Sequence, residues 1–129
     1  MKIRRKDKGD VTVLELSGHF SGGPDTYDDF ERITQELIDE NRLYTVISFK
    51  HVSFVGSPAI GILMRNYAHY VRYGGEVVVS ELNQRVALVF DLMLRKLFEV
   101  YKTTDEAIEV LQNRVKAPPT KDKPAPVTN

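Results

Sequence analysis

The sequence predicts a single α/β domain, a mixed sheet of four or five strands with helices packed mainly on one side. Three observations carry this prediction. Short β-branched and aromatic runs alternate with longer segments whose apolar residues recur at helical spacing, a pattern that favours a largely parallel sheet. The first two strand candidates are separated only by a tight turn, which makes an antiparallel hairpin at the start of the sheet. At 129 residues and 42% apolar composition, one core is affordable. A chain of this length buries roughly two-thirds of the surface it would expose when extended.

Each element has its own justification. "VTVLELS" (11–17) places Val11, Val13 and Glu15 on one side and Leu14 and Leu16 nearer the other, as a strand does. Residues 2–6 form its hairpin partner, turned at Lys8-Gly9-Asp10. After the loop "GHFSGGP", Tyr27, Phe30, Ile33, Leu37 and Ile38 predict a helix over 25–41. "YTVISF" (44–49) is too short for a helix and reads as a buried strand. Ile60, Leu63, Met64, Tyr67 and Val71 then form one stripe, closed by Gly74-Gly75 as a left-handed helix stop. "EVVVSEL" (76–82) is a strand, and Val86, Val89, Phe90, Met93 and Leu97 predict a third helix. "FEVY" (98–101) is a short strand. "TTDEAIEVLQNRV" opens a last helix with a capping box, Thr103 reaching forward and Glu106 back. The closing "KAPPTKDKPAPVTN" (116–129) is proline-rich with one large aliphatic residue, Val127, and is expected to be disordered beyond a domain spanning 1–115.

Composition excludes several functions. The 18 basic and 18 acidic residues cancel, so no global field attracts nucleic acid or an anionic membrane. The local run Lys2, Arg4, Arg5, Lys6, Lys8 reads as a solvated strand face. Without cysteine there is no disulfide, thiolate site or cysteine nucleophile. His19, His51 and His69 are too widely spaced to be metal ligands by pattern, and His51 is expected to border the loop before residue 57. "HFSGGP" lacks the lysine and hydroxyl of a phosphate loop, and Asp28-Asp29 and Asp39-Glu40 sit on solvated helix faces. The expectation is a cytoplasmic protein without membrane insertion, without cofactor or metal, and not an enzyme.

"FVGSPAIGIL" (54–63) is the exception to this plainness. Ser57 is a preferred N-cap, whose oxygen would accept from a free helical amide for about 1 kcal/mol. Pro58 suits the first helical position, where its missing N–H costs nothing. The same geometry also suits a phosphoacceptor. A phosphate at a helix N-terminus meets the positive end of the macrodipole and leaves the domain folded. A partner packed there would face about two negative charges needing desolvation. Gly56 lets backbone approach closely. With the stripe from Ile60 to Val71 turned inward, the opposite face carries Ile62, Arg65, Asn66, His69 and Tyr73, a mixture typical of a protein-binding patch. Leu88 and Leu92 fall off the inward stripe of the third helix and mark a surface for self-association, as a homodimer, or for a second partner.

In this order, "VTVLELSGHFS", "VISFKHVSFVGSPAIGIL", "YGGEVVVSEL" and "LFEVYKTTDEAI" resemble the STAS domain of bacterial anti-sigma-factor antagonists over about residues 8–112. The resemblance implies partner switching. A family member docks through the helix-opening loop and its helix onto a GHKL-type serine kinase, which is also the anti-sigma factor. Phosphorylation of the serine in "D-S-x-G" breaks that complex, and a metal-dependent serine phosphatase reverses the step. The matching serine is Ser57, with Gly56, Pro58 and Ser21 beside it in the implied docking surface. Gly56 stands where the family has aspartate, Ala59 where it has glycine, and Ser48 and Ser21 where acidic residues are common. The missing carboxylates imply a kinase that reads a less acidic surface, or a domain that binds constitutively. The latter would act like the STAS subunit of a lipid-transport ATPase.

Overall fold

The computed structural model describes residues 1–116. Strand β1 (Lys2–Lys8) turns at Gly9-Asp10 and returns antiparallel as β2 (Val11–Phe20), with Lys8 opposite Val11. Then follow α1 (Pro24–Asp39), β3 (Tyr44–Val55), α2 (Ser57–Arg72), β4 (Glu76–Ser80), α3 (Gln84–Val89) with a π-helical turn at Phe90–Leu94, β5 (Val100–Tyr101) and α4 (Thr104–Lys116). The five strands lie in the order β1-β2-β3-β4-β5, parallel except for β1. This is the mixed sheet the sequence predicts. The segment expected to be disordered lies, apart from Lys116, outside the described residues.

The sheet is buried on both faces, because successive side chains of β2 point oppositely. Leu14 and Leu16 enter the main core with Phe20, Phe30, Ile47, Phe49, Leu63 and Phe90, under the layer made by α1, α2 and α3. Val11 and Val13 join Val46 and Val78 beneath Ala107 and Leu111 of α4, the one helix on the other face among the described residues. Phe49 sits at the centre of a chain of rings, 6.5 Å from Phe20 and 5.3 Å from Phe90. Tyr70 ties α2 to the sheet, its hydroxyl accepting from Thr45 at 2.8 Å and donating to the Arg42 carbonyl. Burial pushes that phenol up to about 12, so it remains a donor.

Three expectations need correction. Strand β3 runs six residues beyond Phe49, to Val55, pairing with β2 alone after Ser48. With only one neighbour, and with shifts in register, this extension exposes Lys50, His51, Ser53 and Phe54 and does not read as a buried run. The inward side of α3 is Val86, Phe90 and Leu94, followed by Phe98, because the wider π turn makes the repeat four residues. Met93, expected inside, is 60% exposed; Leu88 and Leu92 are exposed as expected. The strand predicted over 98–101 is confined to 100–101, with Phe98 packed in the core.

The helix ends follow local chemistry. Gly74, at φ +84°, ends α2 in a Schellman arrangement: its N–H donates to Val71, and that of Gly75 to Tyr70. At α4, Glu106 N–H donates to Thr103 Oγ1 at 3.1 Å, one half of the expected capping box. The reciprocal bond from Glu106 back to Thr103 N–H is not made among the described residues; a different free amide, Thr104 N–H, donates to the carboxylate of Glu81 in the β4–α3 connection at 2.9 Å. No helix among the described residues is long and apolar enough to cross a membrane.

Candidate functional site

Two loops meet at the C-terminal ends of β2 and β3. Gly56 N–H donates to the Phe20 carbonyl at 2.8 Å, and the Gly56 carbonyl accepts from Ala59 N–H at 3.0 Å. Gly56, extended at φ −89°, is therefore the N-cap of α2, and Ser57 is already helical. This corrects the expectation that Ser57 caps the helix. Its hydroxyl makes no hydrogen bond among the described residues, and the residue is exposed. No local structural task holds that oxygen.

The β2–α1 loop is pressed against the start of α2. Gly22 has φ +80°, and a β-carbon there would lie 2.7 Å from Ala59 N and 2.9 Å from the Pro58 carbonyl carbon. Neither is an atom that can swing away. A β-carbon at Gly56 would lie 3.3 Å from the Phe54 ring and 3.4 Å from Ser21. Glycines thus bring Ser21 and Ser57 to one end of the molecule. Phe54, 40% exposed, lies over Gly56.

The exposed side of α2 differs from the expected one. Ile62 and Asn66 are buried, at 8% and 7%, together with Ala59, Leu63 and Tyr70. Met64, assigned inward, is 45% exposed. The helix is rotated because small Ala59 lies against the β2–α1 loop and Asn66 donates to Thr34 Oγ1 of α1, a polar pair inside the core. Arg65 and Tyr73 are exposed and His69 is half-buried, Arg65 and His69 facing α1, and Pro58 is exposed at the helix start. Arg65 stands 5.3 Å over the Tyr27 ring, and His69 Nδ1 is 3.8 Å from the Glu31 carboxylate. Ser48 and His51 are not part of this site. Both border a depression on the α4 side of the sheet, where Thr104 Oγ1 lies 3.4 Å from Ser48 Oγ.

The site's charge is as informative as its shape. Ser21, Gly22, Phe54, Gly56, Ser57 and Pro58 are all uncharged, and the first turn of α2 has no acidic residue. His69 and Arg72 lie in its last turn. The helix itself thus places no carboxylate in the first turn at the positive end of its dipole.

Replacing Asn66 separates a core role from a docking role. Asn66→Ala is expected to lower stability by about 1–3 kcal/mol, because Thr34 loses its buried partner. Thermal and urea unfolding measure this; retained stability with impaired partner binding would restore Asn66 to the docking surface.

The fold has counterparts in solved structures. An anti-sigma factor antagonist from Mycobacterium paratuberculosis superposes with a TM-score of 0.72 at 23% identity, covering 86% of this chain and 93% of that one. The phosphorylated form of the Bacillus cell fate determinant SpoIIAA gives 0.66 at 15% identity, over 85% and 99%. A sulfate transporter family protein from Wolinella succinogenes gives 0.72 at 16% identity, over 83% and 88%. At these identities the likeness is one of fold, and it defines a class that includes regulators and transporter domains. The sequence matches the STAS domain family over residues 2–107, and the chain belongs to that family.

Proposed function

We propose that this chain is a non-catalytic regulator of the anti-sigma-factor-antagonist type, acting by partner switching in the cytoplasm. The observation that carries the reading is the exposed Ser57, its hydroxyl unbonded among the described residues, at the start of a helix whose first turn has no acidic residue. The docking surface comprises Ser21, Phe54, Gly56, Pro58, Arg65, His69 and Tyr73, with Gly56 contributing backbone. Its partner is a GHKL-type serine kinase that is also an anti-sigma factor. The kinase transfers the γ-phosphoryl group of ATP to Ser57 Oγ: the bond to the β-phosphate oxygen breaks, ADP leaves, and the hydroxyl proton passes to a base on the kinase. A metal-dependent serine phosphatase hydrolyses the ester and restores the hydroxyl with release of inorganic phosphate.

A second reading has a specific observation in its favour. The uncharged surroundings of Ser57, with Phe54 over Gly56, suit an apolar contact that is never switched. On that reading the domain is a phosphorylation-independent subunit docked permanently on an ATPase of the lipid-transport type.

Incubation with ATP, magnesium and the GHKL-type kinase encoded nearest its gene distinguishes the two by intact mass. A gain of one phosphate, abolished in Ser57→Ala, is the result expected for the switch. No gain, with a stable ATPase complex whether residue 57 is serine or aspartate, establishes the permanent subunit.

A further inference from the structure

Strand β1 combines two features that the function above leaves unused. It is the first strand in the sheet order, so one edge has no partner among the described residues. It also carries a row of like charge. Ile3 packs against the main core, whereas Lys6 and Lys8 share the α4-side depression with Val13 and Glu15. By the two-residue alternation of a strand, Lys2, Arg4, Lys6 and Lys8 all project on the α4 side, about 7 Å apart. Lys6 pairs with Glu15 at 3.2 Å, while Lys2, Arg4 and Lys8 have no ion pair among the described residues. Lys50 of β3 adds a further cation at the same depression.

The register decides which amides are free. A two-residue turn makes Lys8 and Val11 a hydrogen-bonded pair, so Lys6, Arg4 and Lys2 likewise direct their backbone groups to β2. The amides of Ile3, Arg5 and Asp7 then face outward. A strand added along this edge would bond to those three residues. Its side chains opposite Lys2, Arg4, Lys6 and Lys8 would occupy the close, non-hydrogen-bonded positions.

From this geometry we propose that β1 receives an extended acidic segment of a partner protein, added as a sixth strand with carboxylates at alternate positions. Charge selects the occupant. A second copy of β1 would set one cationic row against another, and like charges in opposed positions repel. A lipid surface or a nucleic acid would engage the cations but not the edge amides. Lysines that merely protect an edge from aggregation would engage nothing.

The probe is a short capped peptide alternating threonine and glutamate, titrated onto the full chain with β1 amide shifts followed by NMR. Binding is expected to shift Ile3, Arg5 and Asp7, to weaken with salt, and to fall about tenfold or more when Lys2, Arg4 and Lys8 are together changed to Glu. Methylating the threonine amides, which face β1, should abolish binding; methylating the glutamate amides should not. Thermal melting of the triple variant confirms its fold. Absence of binding, equal loss from the two methylated peptides, or shifts elsewhere would overturn the proposal. So would retention on phosphatidylglycerol vesicles that the peptide does not displace.

Discussion

Gly22→Ala is expected to destabilise the domain by about 2–4 kcal/mol and to weaken docking in the same variant. Part of the loss is conformational, since a side chain at φ +80° sits in a region that costs an L-residue about 1–2 kcal/mol. The rest is steric. The new β-carbon would lie 2.7 Å from Ala59 N, an atom held by a 3.0 Å hydrogen bond to Gly56. Either the β2–α1 loop lifts or the first turn of α2 shifts, and both carry residues of the proposed docking surface. Urea unfolding measures the first effect and a partner titration the second. An alanine variant as stable and as tightly bound as the parent would mean that the loop is not held against α2.

Phosphorylation of Ser57 is the second large effect. Inside the domain the modification should be nearly neutral: the oxygen is exposed, makes no hydrogen bond, and stands at the positive end of α2. At the docking surface it is costly. A group carrying about two negative charges must lose its water or keep the partner away. Burying such a charge without a counter-charge costs about 2–5 kcal/mol, on the order of a hundredfold in affinity. No cation of the site's own loops stands ready to neutralise it, since Ser21, Gly22, Phe54 and Gly56 are uncharged. The same asymmetry explains why Ser57 need not be a structural cap to be useful. A hydroxyl committed to a helix amide would lose that bond on modification, whereas a free one loses nothing.

How far the sequence anticipated this can be judged residue by residue. The α/β order, the hairpin and the glycine stop of α2 were legible because β-branched runs, tight-turn residues and Gly-Gly have short-range causes. The start of α2 was legible from Ser57-Pro58, although the N-cap is Gly56 and not Ser57. Three things were not. Asn66 and Ala59 are core residues that a hydrophobic stripe passes over, one polar and one small, so the face of α2 was misplaced and Ile62 was assigned outward. The π turn that exposes Met93 leaves no mark in apolar spacing until the helix is packed. Phe54 was missed as a surface residue, although the buried pair Val52 and Val55 on either side of a register shift is what turns it outward.

The central claim is that one phosphate on Ser57 removes the partner and leaves the fold unchanged. The direct measurement is a calorimetric titration of unmodified and Ser57-phosphorylated protein onto the cognate GHKL ATPase, with a thermal melt of each form alongside. Superimposable melts and an affinity lower by about a hundredfold are predicted. Equal affinities, or a modified form that no longer folds, would contradict it.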